Sequence, residues 1–141
     1  MNKGRLAVIG VVVVAVAFLA GLVSGTLGRS AAERERDENH MLLQIQTGVA
    51  RTLAGRVAIY NVNFGDASRE FENARGMFAQ ARDTLNATDR AADAAVLDKV
   101  IALVTEAQRM SGVLDQGANT KAAEAIEALR QISLPERPVA Q

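Results

Sequence analysis

The chain predicts an all-α protein: a single N-terminal transmembrane helix, a polar stalk, and an antiparallel bundle of about four helices. Three observations carry this expectation. The run Leu6–Leu27 contains no charged residue and spans roughly 33 Å as a helix, against a hydrocarbon core of about 30 Å. Both prolines, Pro135 and Pro138, stand at the extreme C-terminus, and the glycines after the apolar run fall mostly where helices could end. Between these limits apolar residues recur at steps of three and four, the period of a half-buried helix.

The first element, expected over residues 1–28, is a signal-anchor. Lys3 and Arg5 precede the apolar run, while Arg29, Arg34 and Arg36 follow it interleaved with acids. Basic residues therefore flank both ends, which gives a soft preference for a cytoplasmic N-terminus and an extracytoplasmic domain. The competing reading is a cleaved signal peptide ending at Ala15-Val16-Ala17. The apolar stretch runs on well past that point, beyond the roughly 7–15 residues of a signal core. Ala17, Gly21 and Gly25 lie four apart, a face on which another transmembrane helix could pack closely; the same residues serve equally as lipid-facing positions of an ordinary span.

Residues 29–40 read as the stalk. Ser30-Ala31-Ala32-Glu33 has the form of a capping box, so a new helix is expected there. From Glu33 to His40 the sequence offers no apolar side chain to a neighbour. The bundle is expected over 41–134, followed by a flexible tail at 135–141. In the first bundle helix, Met41, Leu42, Ile45, Val49, Leu53, Val57, Tyr60 and Phe64 form the expected buried stripe. Gly48 and Gly55 fall inside it; each costs about 1 kcal/mol relative to alanine, which points either to close approach of a neighbouring helix or to a bend.

Gly65-Asp66 is expected to end that helix and cap the next. Ala67, Phe71, Ala74, Phe78, Ala81 and Leu85 then step 4, 3, 4, 3, 4. This is an aromatic and alanine seam for antiparallel packing or for a partner. A turn over Asn86–Asp89, with Thr88 or Asp89 as cap, introduces a third helix. Val96, Leu97, Val100, Ile101, Leu103, Val104, Ala107, Met110, Val113 and Leu114 cover a wide arc of it, so it is expected at the centre of the core. Gly117 is expected to end it and Asn119 or Thr120 to cap a shorter fourth helix, whose stripe is Ala122, Ile126, Leu129 and Ile132.

Composition excludes several functions. Setting Lys3 and Arg5 aside from the 16 basic residues leaves 14 against 16 acidic ones, which is no nucleic-acid footprint. With no cysteine, one histidine and 4% aromatic residues, disulfides, thiolate chemistry and most catalytic constellations have no raw material. Asp37 and His40 make half of a di-metal carboxylate-histidine motif in an otherwise polar stretch. Met41, Met77 and Met110 fall in or beside apolar stripes and read as core fillers rather than ligands. Arg75 and Arg82 form a candidate basic ridge on the second helix, interrupted by acids.

Gly65-Asp66 followed by Ala67, Phe71 and Ala74 resembles the junction and second helix of a tetratricopeptide repeat. The resemblance covers about ten residues, has no echo at about 34 residues, and implies a peptide-binding helical hairpin. The reading of the residues themselves is a membrane-anchored, non-catalytic interaction or scaffold protein without cofactor or metal. Its expected partners are the lipid bilayer and either a second copy or another membrane or envelope protein. The alternative is a tethered sensory or carrier domain holding a small apolar ligand between helices two and three, lined by Phe71, Phe78, Leu97 and Ile101.

Overall fold

A computed structural model describes the backbone of residues 3–133, with side chains from residue 32 onward. The described residues form α1 (Lys3–Tyr60), α2 (Phe64–Ala87), α3 (Ala91–Gly112) and α4 (Ala118–Ala128), closed by a 3-10 turn over Leu129–Gln131, with no strand among them. The side chains of the expected anchor, including Ala17, Gly21 and Gly25, lie outside the described residues, as does the tail at 135–141. Among the residues whose side chains are described, no helix is long and apolar enough to cross a membrane. Contacts divide the chain into Met1–Glu38 and Asn39–Gln141. In the first unit Glu33–Asp37 are exposed, as charged side chains without compensating partners must be. Helix α1 passes through Ser30 without the new start expected there.

The second unit is built around α2. Ala67, Phe71, Ala74, Phe78, Ala81 and Leu85 are each 1% exposed or less, and burying a phenylalanine fully contributes about 1.5–3 kcal/mol. Opposite them α1 presents its smallest side chains. A Cβ at Gly48 would lie 2.6 Å from Phe78 Cε1, and one at Gly55 would lie 2.5 Å from Phe71 Cε1, so each ring occupies volume that α1 leaves open. Thr52, between the two glycines, is fully buried and satisfies its hydroxyl by donating to the Gly48 carbonyl at 2.8 Å.

The remaining contacts fix the direction of each helix. Gly55 meets Phe71, Gly48 meets Phe78, and Gln44 Nε2 donates to Gln80 Oε1 at 3.0 Å, so α2 climbs as α1 descends. Arg82 Nη1 donates to Asp98 Oδ1 at 3.2 Å from α2 to α3. Lys99 and Leu103 of α3 share a shallow groove with Glu124 and Ala128 of α4. Arg56 Nε donates to Asn119 Oδ1 at 2.8 Å, returning from α1 to α4. Short connections force each helix to reverse, and the four close into an up-down bundle. Helix α3, packed on both α2 and α4, buries Leu97, Val100, Val104 and Ala107.

Several expected details differ. The buried face of α1 carries Met41, Gln44, Ile45, Gly48, Thr52, Gly55 and Ile59, whereas Leu53, Val57 and Tyr60 are 44%, 57% and 69% exposed. Periodicity selected the larger apolar stripe, but the neighbour's rings needed the smaller one. Asn63, not Asp66, caps α2: its Oδ1 accepts from the Asp66 amide at 3.2 Å. Asp66 lies in the first turn, where a carboxylate complements the helix dipole. Thr88 belongs to the end of α2, Arg90 precedes α3, and Gly117 precedes α4 without a side-chain cap. Helix α3 ends at Gly112 rather than Gly117, leaving Val113 and Leu114 exposed in the turn. On α4, Ala122 and Ile132 are buried as expected, but Ile126 and Leu129 are only partly so; Ala118, Ala125 and Ala128 complete the inner face.

The turns reverse through Val62, Asp89 and Leu114, at φ of 59°, 56° and 60°. A sequence rule that looks for glycine or asparagine at these positions misses them. Left-handed backbone costs an L-residue about 1–2 kcal/mol, and Val62 is 67% exposed, so little packing offsets the strain. Val62→Gly is therefore expected to raise stability by about 0.5–1 kcal/mol, read as a higher urea midpoint at unchanged slope.

A polar clamp fastens Ser133, just beyond the 3-10 turn, to the start of α3. The Ser133 amide donates to Asp93 Oδ1 at 3.0 Å, Arg90 Nε donates to Asp93 Oδ2 at 2.9 Å, and Arg90 Nη2 donates to the Ser133 carbonyl. Asp93 is itself buried.

Candidate functional site

The bundle leaves a set of large apolar side chains in water. On α1 these are Leu43, Leu53, Val57 and Tyr60; at the two turns of one bundle end they are Val62, Val113 and Leu114. Gln46, Ala50 and Ala54 of α1 are exposed as well. The α1 set arises because the helix is apolar on two sides: the glycine side receives Phe71 and Phe78, while the opposite side, among the described residues, meets α4 at its margins, at Tyr60 and Gln46.

Next to this face lies a groove of about 400 Å³ between α1 and α4, lined by Ile45, Gln46, Val49, Ile126, Leu129 and Ile132, with Arg130 at its edge. Its walls follow from the packing of α4. Alanines at 118, 122, 125 and 128 turn inward, so α4 sits close to its neighbours and directs the larger Ile126 and Leu129 sideways. Arg130 Nε is held by Glu127 at 3.1 Å, which leaves the groove essentially hydrocarbon.

Polar contacts hold α1 without charging this surface. Arg51 Nη1 lies 3.2 Å from Glu70 of α2. Asn119 accepts from Arg56 and donates to the Tyr60 hydroxyl at 2.9 Å, joining the two turns at one end. Near the opposite end of the bundle, Gln44 is buried, and its Nε2 donates to Gln80 and lies 3.1 Å from His40 Nε2.

The structure gathers some of the sequence-selected residues and separates others. Gly48, Gly55, Phe71, Ala74, Phe78 and Ala81 meet inside the bundle, where the α2 residues are closed to any other protein. Arg75 and Arg82 do not stand as an uncompensated ridge. Arg75 lies 4.0 Å from Glu72, and Arg82 bridges Asp83 and Asp98, contacts that raise the Arg82 pKa, the Asp83 hydrogen bond most of all. His40 is exposed, and no group of three metal-ligating side chains occurs among the described residues. Met41 is buried in the core, while Met77 and Met110 are half-buried. Phe71, Phe78 and Leu97, offered above as the lining of a ligand cavity, are 0–1% exposed and packed against neighbouring atoms.

The exposed face of α1 was missed by sequence reasoning, although a signal for it exists. Leu43, Gln46, Ala50, Leu53, Val57 and Tyr60 step 3, 4, 3, 4, 3 on the side opposite Gly48 and Gly55. Glycines on one side of a helix, paired with large aromatics elsewhere in the chain, mark the inner side and so identify the other as outer. No family model, curated protein or solved structure matches the chain, the tetratricopeptide resemblance included.

Proposed function

We propose that the protein is a single-pass, membrane-anchored interaction or scaffold module, without catalysis, whose helical bundle lies outside the cytoplasm and docks onto a second copy or another envelope protein. The single observation that carries this reading is the exposed apolar face of α1 with its adjoining groove. Large aliphatic side chains kept in water along one helix are a standing tendency to associate. The uncharged run Leu6–Leu27 and the charged stretch after it supply the tether and a spacer.

The test is crosslinking of the full chain in its membrane, combined with protease protection of the C-terminal domain. A discrete homomeric or heteromeric band, and digestion only from the extracytoplasmic side, are expected. Monomer alone across a wide range of crosslinker lengths, or a domain protected as cytosolic, overturns the reading.

A second reading draws on the groove itself: a small apolar ligand held between α1 and α4 by Ile45, Val49, Ile126, Leu129 and Ile132. A membrane lipid extract that raises the melting temperature of the bundle in proportion to its concentration supports it. An unchanged melting temperature removes it.

A further inference from the structure

We infer that the exposed face of α1 is a parallel two-helix seam that binds the same face of a second copy of this chain. The inference rests on the membrane-tethered reading above and names its partner.

The spacing argues for another helix of equal period. Leu43, Ala50 and Val57 fall seven apart, as do Gln46, Leu53 and Tyr60, and together they make the alternating three-four pattern whose side chains insert between those of a facing helix. All six are exposed. From Leu43 to Tyr60 the seam is about 26 Å long. That is short for free peptides, which must also meet the cost of becoming helical. Here α1 is already held as a helix by α2 and α4, so association orders little that folding has not ordered.

Charge argues against most other occupants. Between Met41 and Tyr60 the only charged residues are Arg51 and Arg56, and these are engaged by Glu70 and Asn119 within the bundle. Glu70 offsets the charge of Arg51, and Arg56 alone, held by the neutral Asn119, offers little selective attraction to an acidic protein or to anionic headgroups. The register also stops itself: one heptad before Leu43 the core position is Arg36, where two copies would bring like charges together.

Gln46 chooses the direction. In a parallel pair it meets its own equivalent, and each amide can donate to the other's carbonyl oxygen. In an antiparallel pair centred on this segment it faces Val57, which leaves a buried amide unsatisfied. Two chains tethered in one membrane also present their α1 helices in the same direction and at raised effective concentration.

The chain has no cysteine, so single substitutions report single positions. The full chain is expressed in membranes with Leu43→Cys, Tyr60→Cys, or the exposed α3 control Ala102→Cys, and oxidised mildly. The first two are each expected to yield a disulfide-linked homodimer and the control none. Adding Leu53→Glu should lower that yield about tenfold or more, since like charges then face each other, while the helical circular dichroism stays unchanged because Leu53 is already exposed within the bundle. Crosslinks that form only when the Leu43→Cys and Tyr60→Cys variants are mixed would show antiparallel pairing and overturn the inference. A heteromeric adduct without homodimer, or protection of both thiols from aqueous maleimide without any adduct, assigns the face to another protein or to lipid and overturns it also. The heteromeric result leaves the interaction reading standing, whereas monomer with both thiols freely labelled removes both.

Discussion

Phe71→Ala is expected to destabilise the bundle by about 3–5 kcal/mol, the usual cost of deleting a fully buried aromatic ring. Phe71 has no measurable exposure, and its ring lies where a Gly55 side chain would begin. The two positions should therefore be strongly coupled. In the native background Gly55→Ala gains about 1 kcal/mol of helix propensity but forces a ring in a packed core to move, at about 1–3 kcal/mol, so the net effect is neutral to destabilising by about 2 kcal/mol. With Phe71→Ala already present the ring is gone, and Gly55→Ala should become stabilising by about 1 kcal/mol. A double-mutant cycle measured by urea unfolding is expected to give a coupling of about 1–3 kcal/mol. Additive effects would mean that the ring does not rest on Gly55. Gly48 and Phe78 should behave alike, because the antiparallel register repeats the arrangement one heptad away.

Asp93→Ala is expected to cost about 2–3 kcal/mol, since it removes the acceptor of two hydrogen bonds and leaves the half-buried Arg90 without this partner. Titration should show the same contact. Burial opposes ionisation of Asp93, but the Ser133 amide and then the Arg90 guanidinium outweigh it and hold the carboxyl below its ordinary pKa. A carboxyl depressed in the folded state contributes stability that is fully present above its unfolded pKa and is lost as pH falls through the folded one. The native protein should therefore lose stability below about pH 4. Asp93→Asn should show a smaller loss over that interval while being less stable at neutral pH. An identical acid dependence in both proteins would mean that Asp93 does not titrate in the folded clamp. The clamp also bears on the groove, because Ser133 follows Ile132, which lines it.

How much of this was legible depended on whether one residue or two had to be known. The α2 seam could be read directly: Ala67 through Leu85 alternate alanine with large apolar residues on one side, and all six are buried. The number of helices was legible from their apolar periods. The helix ends were less so, because Val62 and Leu114 accept a strained backbone where glycine was the expected signal. The apolar half of α1 could not be assigned at all from α1 alone. Leu53, Val57 and Tyr60 give a stronger apolar period than Gly48, Thr52 and Gly55, yet the weaker stripe faces inward.

Sequence alone determined that the domain is helical, how many helices it has and which side of α2 is apolar, because each follows from spacing within one segment. The tertiary fold decided which side of α1 would be covered, since that choice depends on whether Phe71 and Phe78 fit against glycine or against leucine. Rings of that size need the volume only glycine leaves, and once they take it the aliphatic side of α1 has nowhere to turn but outward.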